Sequence, residues 1–289
     1  MVKNEFSFTN FKIHTHYSIC EGAIEIKKLA DYCKENKIKS IGISDNYNLC
    51  GALEFSQELS KVGTQPIIGS QINFKFNDIT GKIPLFAKTE LGFQNLTKLS
   101  SKSFLDVKEN SEPHCLIDDL FKNSKDLIIL SGGLDSFFSK LFFKNKNKYV
   151  DEIISKIKDF FPDSFYFEIQ RHDDIGEKEL EDYYITLSKK YTLPLIASQE
   201  VFYISKDMFE AHDALLCIGQ KTYVDDKNRK KFTNQHYLRS PEDLNKLYVD
   251  IPEALENNYH FPQRFSYKLK NSSPKLPSLK SLNHSNEND

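Results

Sequence analysis

Residues 11–20 of the chain read FKIHTHYSIC. His14 and His16 stand one residue apart behind a short apolar run, a type and spacing suited to metal chemistry. Alternate side chains of a strand share a face, so the two imidazoles would project together. With Glu21 close behind in sequence, they make three side chains of metal-ligand type. A metal so held could generate hydroxide at neutral pH. The same two rings would serve equally well as hydrogen-bonded parts of a loop, so the spacing alone leaves both readings open.

Four further stretches carry polar groups in suggestive places. Asp45 and Asn46 in GISDNYNLCGALEF end an apolar run just before a helical pattern, where an ion could be held, yet both are ordinary turn and N-cap residues. SGGLDS at 131–136 lacks the spacing and the lysine of a phosphate loop and reads as a tight turn. FEIQRHDD gathers Arg171, His172, Asp173 and Asp174, which could bind phosphate or metal, though a run of charged residues after a strand reads better as a solvated loop. DDKNRKKF at 225–232 could touch a phosphate backbone, but reads better as a solvated basic loop. No GxSxG, HExxH or GxGxxG occurs.

The elements that must position these groups follow from the apolar runs. Seven recur, at 12–14, 41–44, 66–70, 84–87, 127–131, 165–169 and 194–198. Most are too short and too uniformly apolar for amphipathic helices and read as buried strands. Between them lie helical stripes: Ile26, Leu29, Ala30 and Cys33, then Ala52, Phe55, Leu59 and Val62. Further helices are expected over 90–104, 135–144, 150–160, 177–190, 206–218 and 241–259. Strand alternating with helix implies a mainly parallel sheet, open or closed into a barrel. Ligands of such sheets sit at the carboxyl ends of the strands. The residues there are His14, His16, Asp45, Asn46, Gln71, Gly132, Gly133, Arg171, His172, Gln199 and Glu200.

Composition narrows the partners. The 289 residues carry 39 basic and 41 acidic side chains, a net charge of -2, which argues against a body-wide grip on nucleic acid. Five cysteines without a CxxC pair read as reduced thiols used in packing. No apolar run nears the roughly 18 residues of a membrane span, and the N-terminus lacks the apolar core of a signal peptide. A soluble, cytoplasmic protein is expected. From Lys268 onward, KLKNSSPKLPSLKSLNHSNEND has the composition of a linker or disordered end.

Taken in order, IHTHYSICEGAIEIKKLA, IGISDNYNLCGALEF, PIIGSQINF, GFQNLTKLSS, LIILSGGL, LPLIASQEVFYI, AHDALLCIGQ, YLRSPEDL and DIPEALENN resemble one family. It is the N-terminal PHP (polymerase and histidinol phosphatase) domain of the alpha subunit of bacterial, replicative DNA polymerase III. The resemblance is collinear from about Phe6 to Pro262 and includes helices remote from the pocket. It implies a distorted seven-stranded α/β barrel, TIM-barrel-like, in agreement with the seven runs. In metal-binding members the pocket holds a cluster of ions and hydrolyses phosphoesters.

This sequence keeps part of that pattern. His14 and His16 match the family's HxH, Glu21 stands where an acidic residue is usual, and Glu200 where an aspartate is usual. Five positions depart: Asn46 and Lys82 replace histidines, Gln71 a glutamate, Gly133 a cysteine and Phe202 a histidine. Asn46 and Gln71 are poor ligands, and Gly133 and Phe202 supply nothing. Lys82 opposes metal, since an ammonium about 4 Å from a divalent ion is repelled by roughly 8 kcal/mol at an effective dielectric near 20. No catalytic residue is expected, and no metal or other cofactor beyond weak zinc or manganese at His14 and His16. Lys82 would take the cation's place, paired with Glu21 or Glu200.

The resemblance thus implies a PHP domain over residues 1–266, a linker over 267–289, and a fragment whose polymerase domain lies beyond it. The parent would be a DNA-directed DNA polymerase, a nucleotidyltransferase acting in DNA replication, and this chain alone inactive. Partners are the polymerase domain of the same parent chain and a proofreading exonuclease subunit, with DNA met only through the full holoenzyme and no membrane. The alternative is a metal-dependent phosphoesterase or 3'-5' exonuclease with a reduced ligand set.

Overall fold

Each of the seven apolar runs becomes a strand. In the computed structural model, which describes residues 7–109 and 111–273, the strands are β1 (Lys12–Ile13), β2 (Ser40–Asn46), β3 (Gln65–Phe76), β4 (Ile79–Ala87), β5 (Cys115–Leu116), β6 (Leu127–Leu130), β7 (Phe165–Ile169), β8 (Leu195–Ala197) and β9 (Glu200–Val201). The helices are α1 (Ile26–Glu35), α2 (Ala52–Lys61), α3 (Glu90–Leu105), α4 (Ile117–Lys122), α5 (Phe137–Phe143), α6 (Val150–Phe160), α7 (Glu177–Tyr191), α8 (Phe209–Gln220), α9 (Pro241–Leu247) and α10 (Pro252–His260).

The sheet runs β8-β7-β6-β4-β3-β2-β1-β9, with β5 paired to the far end of β3. Only Ser198 and Gln199 separate β8 from β9, so the two are halves of one broken strand. β8 pairs with β7 and β9 with β1, and the chain itself therefore closes the ring. Counted this way the barrel has seven strands plus the β5 appendage, as the resemblance implied.

One strand departs from the parallel rule. β4 runs antiparallel to both β3 and β6, because only Asn77 and Asp78 join β3 to β4. Two residues suffice for a hairpin but not for a parallel crossover, and Asn77 adopts the left-handed conformation such a turn favours. A second departure concerns 241–259, expected as one helix. It is two, α9 and α10, since Pro252 lacks an N–H and clashes with the preceding turn inside a helix, yet fits the first turn where it stands. The short β5 and α4 had no expectation from the sequence.

Alternate strand residues face the barrel interior. At its lower end Phe11, Ile67, Phe86, Ile128, Leu130, Tyr166 and Ile196 form one cluster, plugged by Phe261 and Phe265 from beyond α10. Gly69 makes room for this plug: a Cβ there would come within 2.4 Å of the Phe86 ring. Above it the inward positions turn polar, with Lys12 and Glu168 fully buried and His14, Gln71 and Lys82 higher still. The outer strand faces pack apolar residues against the helices. Ile13, Ile41, Ile43 and Ile68 meet α1 and α2 in one cluster, and Ile129, Phe165, Phe167 and Ile169 join the larger one.

Asn258 of α10 fastens the ring at its closing point. Fully buried, it accepts from Thr9 N (2.8 Å) and donates to Thr9 O (3.0 Å) and Ala197 O (2.9 Å). Asn258→Ala leaves buried backbone groups unpaired and is expected to cost about 2–4 kcal/mol, read as a lowered urea midpoint with unchanged slope. Residues just past the expected domain boundary pack too: Tyr267 lies against Phe93 (5.6 Å between rings), and Ser56 Oγ donates to Leu269 O (3.1 Å). The remainder of the expected linker, 274–289, lies outside the described residues. Among the described residues no helix is long and apolar enough to cross a membrane.

Candidate functional site

The polar groups at the strand ends converge at the upper mouth of the barrel, but not all of those expected there. β1 stops at Ile13, so strand alternation does not carry through the HxH. His14 points into the barrel and is fully buried; His16 is exposed, its Nδ1 3.3 Å from Ile24 O and its ring against Tyr17. The two imidazoles do not share a pocket.

His14 is held on three sides. Its Nε2 lies 2.8 Å from Glu200 Oε1, its Nδ1 3.3 Å from Ser18 Oγ, and its ring stacks on Phe202 at 4.3 Å and 12°. Ser18 Oγ donates in turn to Asp45 Oδ1 (2.7 Å), which also receives Thr15 N (2.7 Å). Burial pushes the Asp45 carboxyl above its ordinary pKa, while the hydrogen bonds from Ser18 and Thr15 pull it back. Asp45 thus organises the loop after β1 instead of presenting a ligand.

The departing positions fill the remaining space. Asn46 Nδ2 donates to Glu21, and Gln71 Nε2 donates to Glu200 Oε1 (2.6 Å). Lys82, near the middle of β4, puts its ammonium 3.3 Å from Asp135 Oδ2. Burial alone would lower its pKa, but the charges of Glu21, Asp135 and Glu200 outweigh this and raise it. The ion-pair partner is thus Asp135, with Glu21 and Glu200 acting through space. Where a side chain at Gly133 would begin, Gln170 Oε1 stands 2.0 Å from the Cβ position. Phe202 continues into a stack with Phe232 (4.8 Å), over which Lys230 Nζ sits at 5.0 Å.

Beneath this layer lies an ion pair that sequence reasoning missed. Lys12 Nζ is 3.1 Å from Glu168 Oε1, both side chains are fully buried, and Glu200 Oε2 is 3.8 Å away. Burial would raise the Glu200 carboxyl, yet Lys12, His14 and Lys82 hold it well below the usual range. What space is left among Glu21, Gln71, Lys82, Glu200 and Phe202 is about 30 Å3, room for about one water.

The two loops expected to be solvated are pinned. Arg171 forks between Glu181 (2.8 and 2.9 Å) and Asp250 (2.7 and 2.8 Å). His172 is fully buried, with Nδ1 2.8 Å from Glu177 Oε1 and Nε2 accepting from Glu200 N (3.1 Å). In the basic loop Arg229 grips Asp213 with two bonds of 2.6 Å, and Lys230 reaches Asp135 at 3.4 Å. Of the cysteines, Cys33, Cys115 and Cys217 pack inside as expected, whereas Cys50 is exposed and Cys20 half-buried.

Acid is expected to loosen this arrangement. Burial, and next the neighbouring His236, depress His172; burial depresses His212 as well. The unfolded chain, with histidines near 6.5, therefore binds protons that the folded chain refuses. Stability present above that value is lost as pH falls through it. Urea midpoints should be lower at pH 5.5 than at pH 7.5; equal midpoints would contradict the assignment of neutral buried rings.

Comparison with known proteins agrees with the geometry. The PHP domain family model matches residues 10–172. The DNA polymerase III subunit alpha of Rickettsia felis is 34% identical over 273 residues, 94% of this chain and 23% of the relative. That of Caulobacter vibrioides is 32% identical over 288 residues, 97% of this chain and 25% of the relative. The chain thus spans about a quarter of the length of these curated relatives. Among solved structures, a Bacteroides vulgatus two-domain protein containing a predicted PHP-like metal-dependent phosphoesterase is 13% identical, covering 88% of this chain and 63% of its own, with a TM-score of 0.40. The matched stretch begins just before β1 and ends at His172, taking in six of the seven barrel strands and most of the polar mouth; the chain belongs to the PHP domain family.

Proposed function

We propose that this chain is the N-terminal PHP domain of a replicative DNA polymerase III alpha subunit, acting in the cytoplasm as a non-catalytic scaffold. It supports the polymerase domain of the same parent chain and offers a surface to a proofreading exonuclease subunit, with residues 267–289 leading toward the polymerase body. Identity to the polymerase relatives over 94% and 97% of this chain supports the first part. The observation that carries the second is Lys82, whose buried ammonium occupies the family's metal pocket among Glu21, Asp135 and Glu200.

The residues present do not fit a cluster of metal ions. His16 faces away, Gln71 and Asn46 spend their amide hydrogens on the carboxylates that would bind metal, Phe202 covers the His14 ring, and about 30 Å3 remains. Carboxylates already neutralised by ammonium groups have little left to offer a divalent cation. The family's hydroxide-generating chemistry therefore has no support here.

One observation favours the alternative, a phosphoesterase with a reduced ligand set: Asn46 Oδ1 is buried without a hydrogen-bond partner among the described residues. The two readings part in an assay of phosphodiester hydrolysis by the chain supplied with zinc or manganese. No turnover is expected. Turnover that disappears in His14→Ala would restore a hydrolase. The scaffold role is tested by size-exclusion chromatography with an alpha subunit lacking this region and with the exonuclease subunit; co-elution is expected, and failure to meet either partner would sink it.

A further inference from the structure

A second group of metal-ligating side chains lies beside the family's pocket and coincides with none of its positions. His172 and Asp174 follow β7, and His236 comes from the segment after α8; one ligand atom of each lies within 4.8 Å of the others. We propose that these three residues form a binding site for a single divalent cation of the borderline, zinc-like class.

The hydrogen bonds orient the rings for it. His172 directs Nδ1 at Glu177 Oε1 (2.8 Å), and His236 directs Nδ1 at the carbonyl oxygen of Glu200 (3.1 Å). A ring whose Nδ1–H is fixed by a carboxylate or a backbone carbonyl presents its Nε2 lone pair, the usual arrangement behind a histidine ligand. His236 Nε2 then faces Asp174 Oδ2 at 2.8 Å. An Nε2–H would make this an ordinary hydrogen bond, and a metal ion can take the place of that hydrogen between the two atoms.

The surroundings favour positive charge and allow it in. A cavity of about 510 Å3 reaches His236 and Asp174, and Glu177, Glu200 and Asp173 also line it, against Lys230 and Lys231. Lys230 is engaged with Asp135. Thr233 N donates to Asp174 Oδ1 (3.3 Å), which fixes the carboxylate. The two rings lie parallel with centroids 4.0 Å apart, so their lone pairs run side by side. His236 and Asp174 are therefore the primary pair, and His172, whose Nε2 now accepts from Glu200 N and whose Nδ1 meets Glu177, joins by giving up both bonds.

The test is calorimetric titration of the metal-stripped 289-residue chain with zinc at pH 7.5. One ion per chain is expected. Binding should weaken at least tenfold in Asp174→Asn and in His236→Gln, and be unchanged in His16→Ala. X-ray absorption of the zinc-loaded wild type, which needs no variant to fold, should count two imidazoles at about 2.0–2.1 Å. No binding, wild-type affinity in either Asp174→Asn or His236→Gln, or a single imidazole, the number the family's pocket can supply, would overturn the proposal. Zinc held here without phosphodiester turnover leaves the scaffold reading untouched, so the two ideas fail separately.

Discussion

Replacing Lys12 by methionine is expected to destabilise the domain by about 3–5 kcal/mol, the range for stranding one partner of a buried ion pair. Glu168 would keep Gln170 Nε2 (2.7 Å) and Ser198 as donors but lose its only full countercharge among the described residues, 3.1 Å away with neither side chain exposed. Glu200 would lose part of what holds it ionised. Since the fault is an unmatched charge and not a cavity, Glu168→Gln in the same chain should recover most of the loss. A double-mutant cycle in urea measures this. If the double variant is as unstable as Lys12→Met alone, the pair is not what supports the middle of the barrel.

The second large effect is expected at Lys82. Lys82→Met keeps the volume of the stem but removes the ammonium that Glu21, Asp135 and Glu200 share. Because the side chain is 11% exposed and its nearest partner, Asp135, is 49% exposed, water screens part of the loss. A cost of about 2–4 kcal/mol follows. It has a pH signature: the carboxylates left behind disfavour their own ionisation, so the difference between variant and wild type should shrink as pH falls from 7.5 toward 4.5. A difference that stays constant would mean that Lys82 acts through packing of its stem.

Barrel and family were legible in the sequence because both rest on patterns that repeat. Seven apolar runs at a rhythm of strand and helix fix the architecture, and β4 escaped only because an Asn–Asp turn forces a hairpin. The site was less legible, since it depends on where one strand ends. Had β1 run three residues further, His14 and His16 would have shared a face; it ends at Ile13, and His16 turns outward. Lys12 was hidden inside an apolar run, where its charge gave no sign of the Glu168 that meets it from 156 residues away. Asp135 stood in a stretch read as a tight turn, and His236 in one with no motif. The charged loop RHDD looked solvated because sequence shows charge but not the Glu181, Asp250, Glu177 and His236 that engage it.

Closing the ring through a broken last strand also sets an order of events during synthesis. β1 has one barrel neighbour nearby in sequence, β2, but the other, β9, is made only after almost all the remaining strands. Asn258, which ties Thr9 to Ala197, comes later still. As the chain leaves the ribosome from its N-terminus, β2 to β7 can pair with near neighbours while β1 keeps an open edge. Contacts of such long separation slow folding and leave edges open to wrong partners. A nascent chain halted before residue 200 should therefore remain sensitive to protease near its N-terminus, and one extended past residue 265 should acquire protection there in a single step.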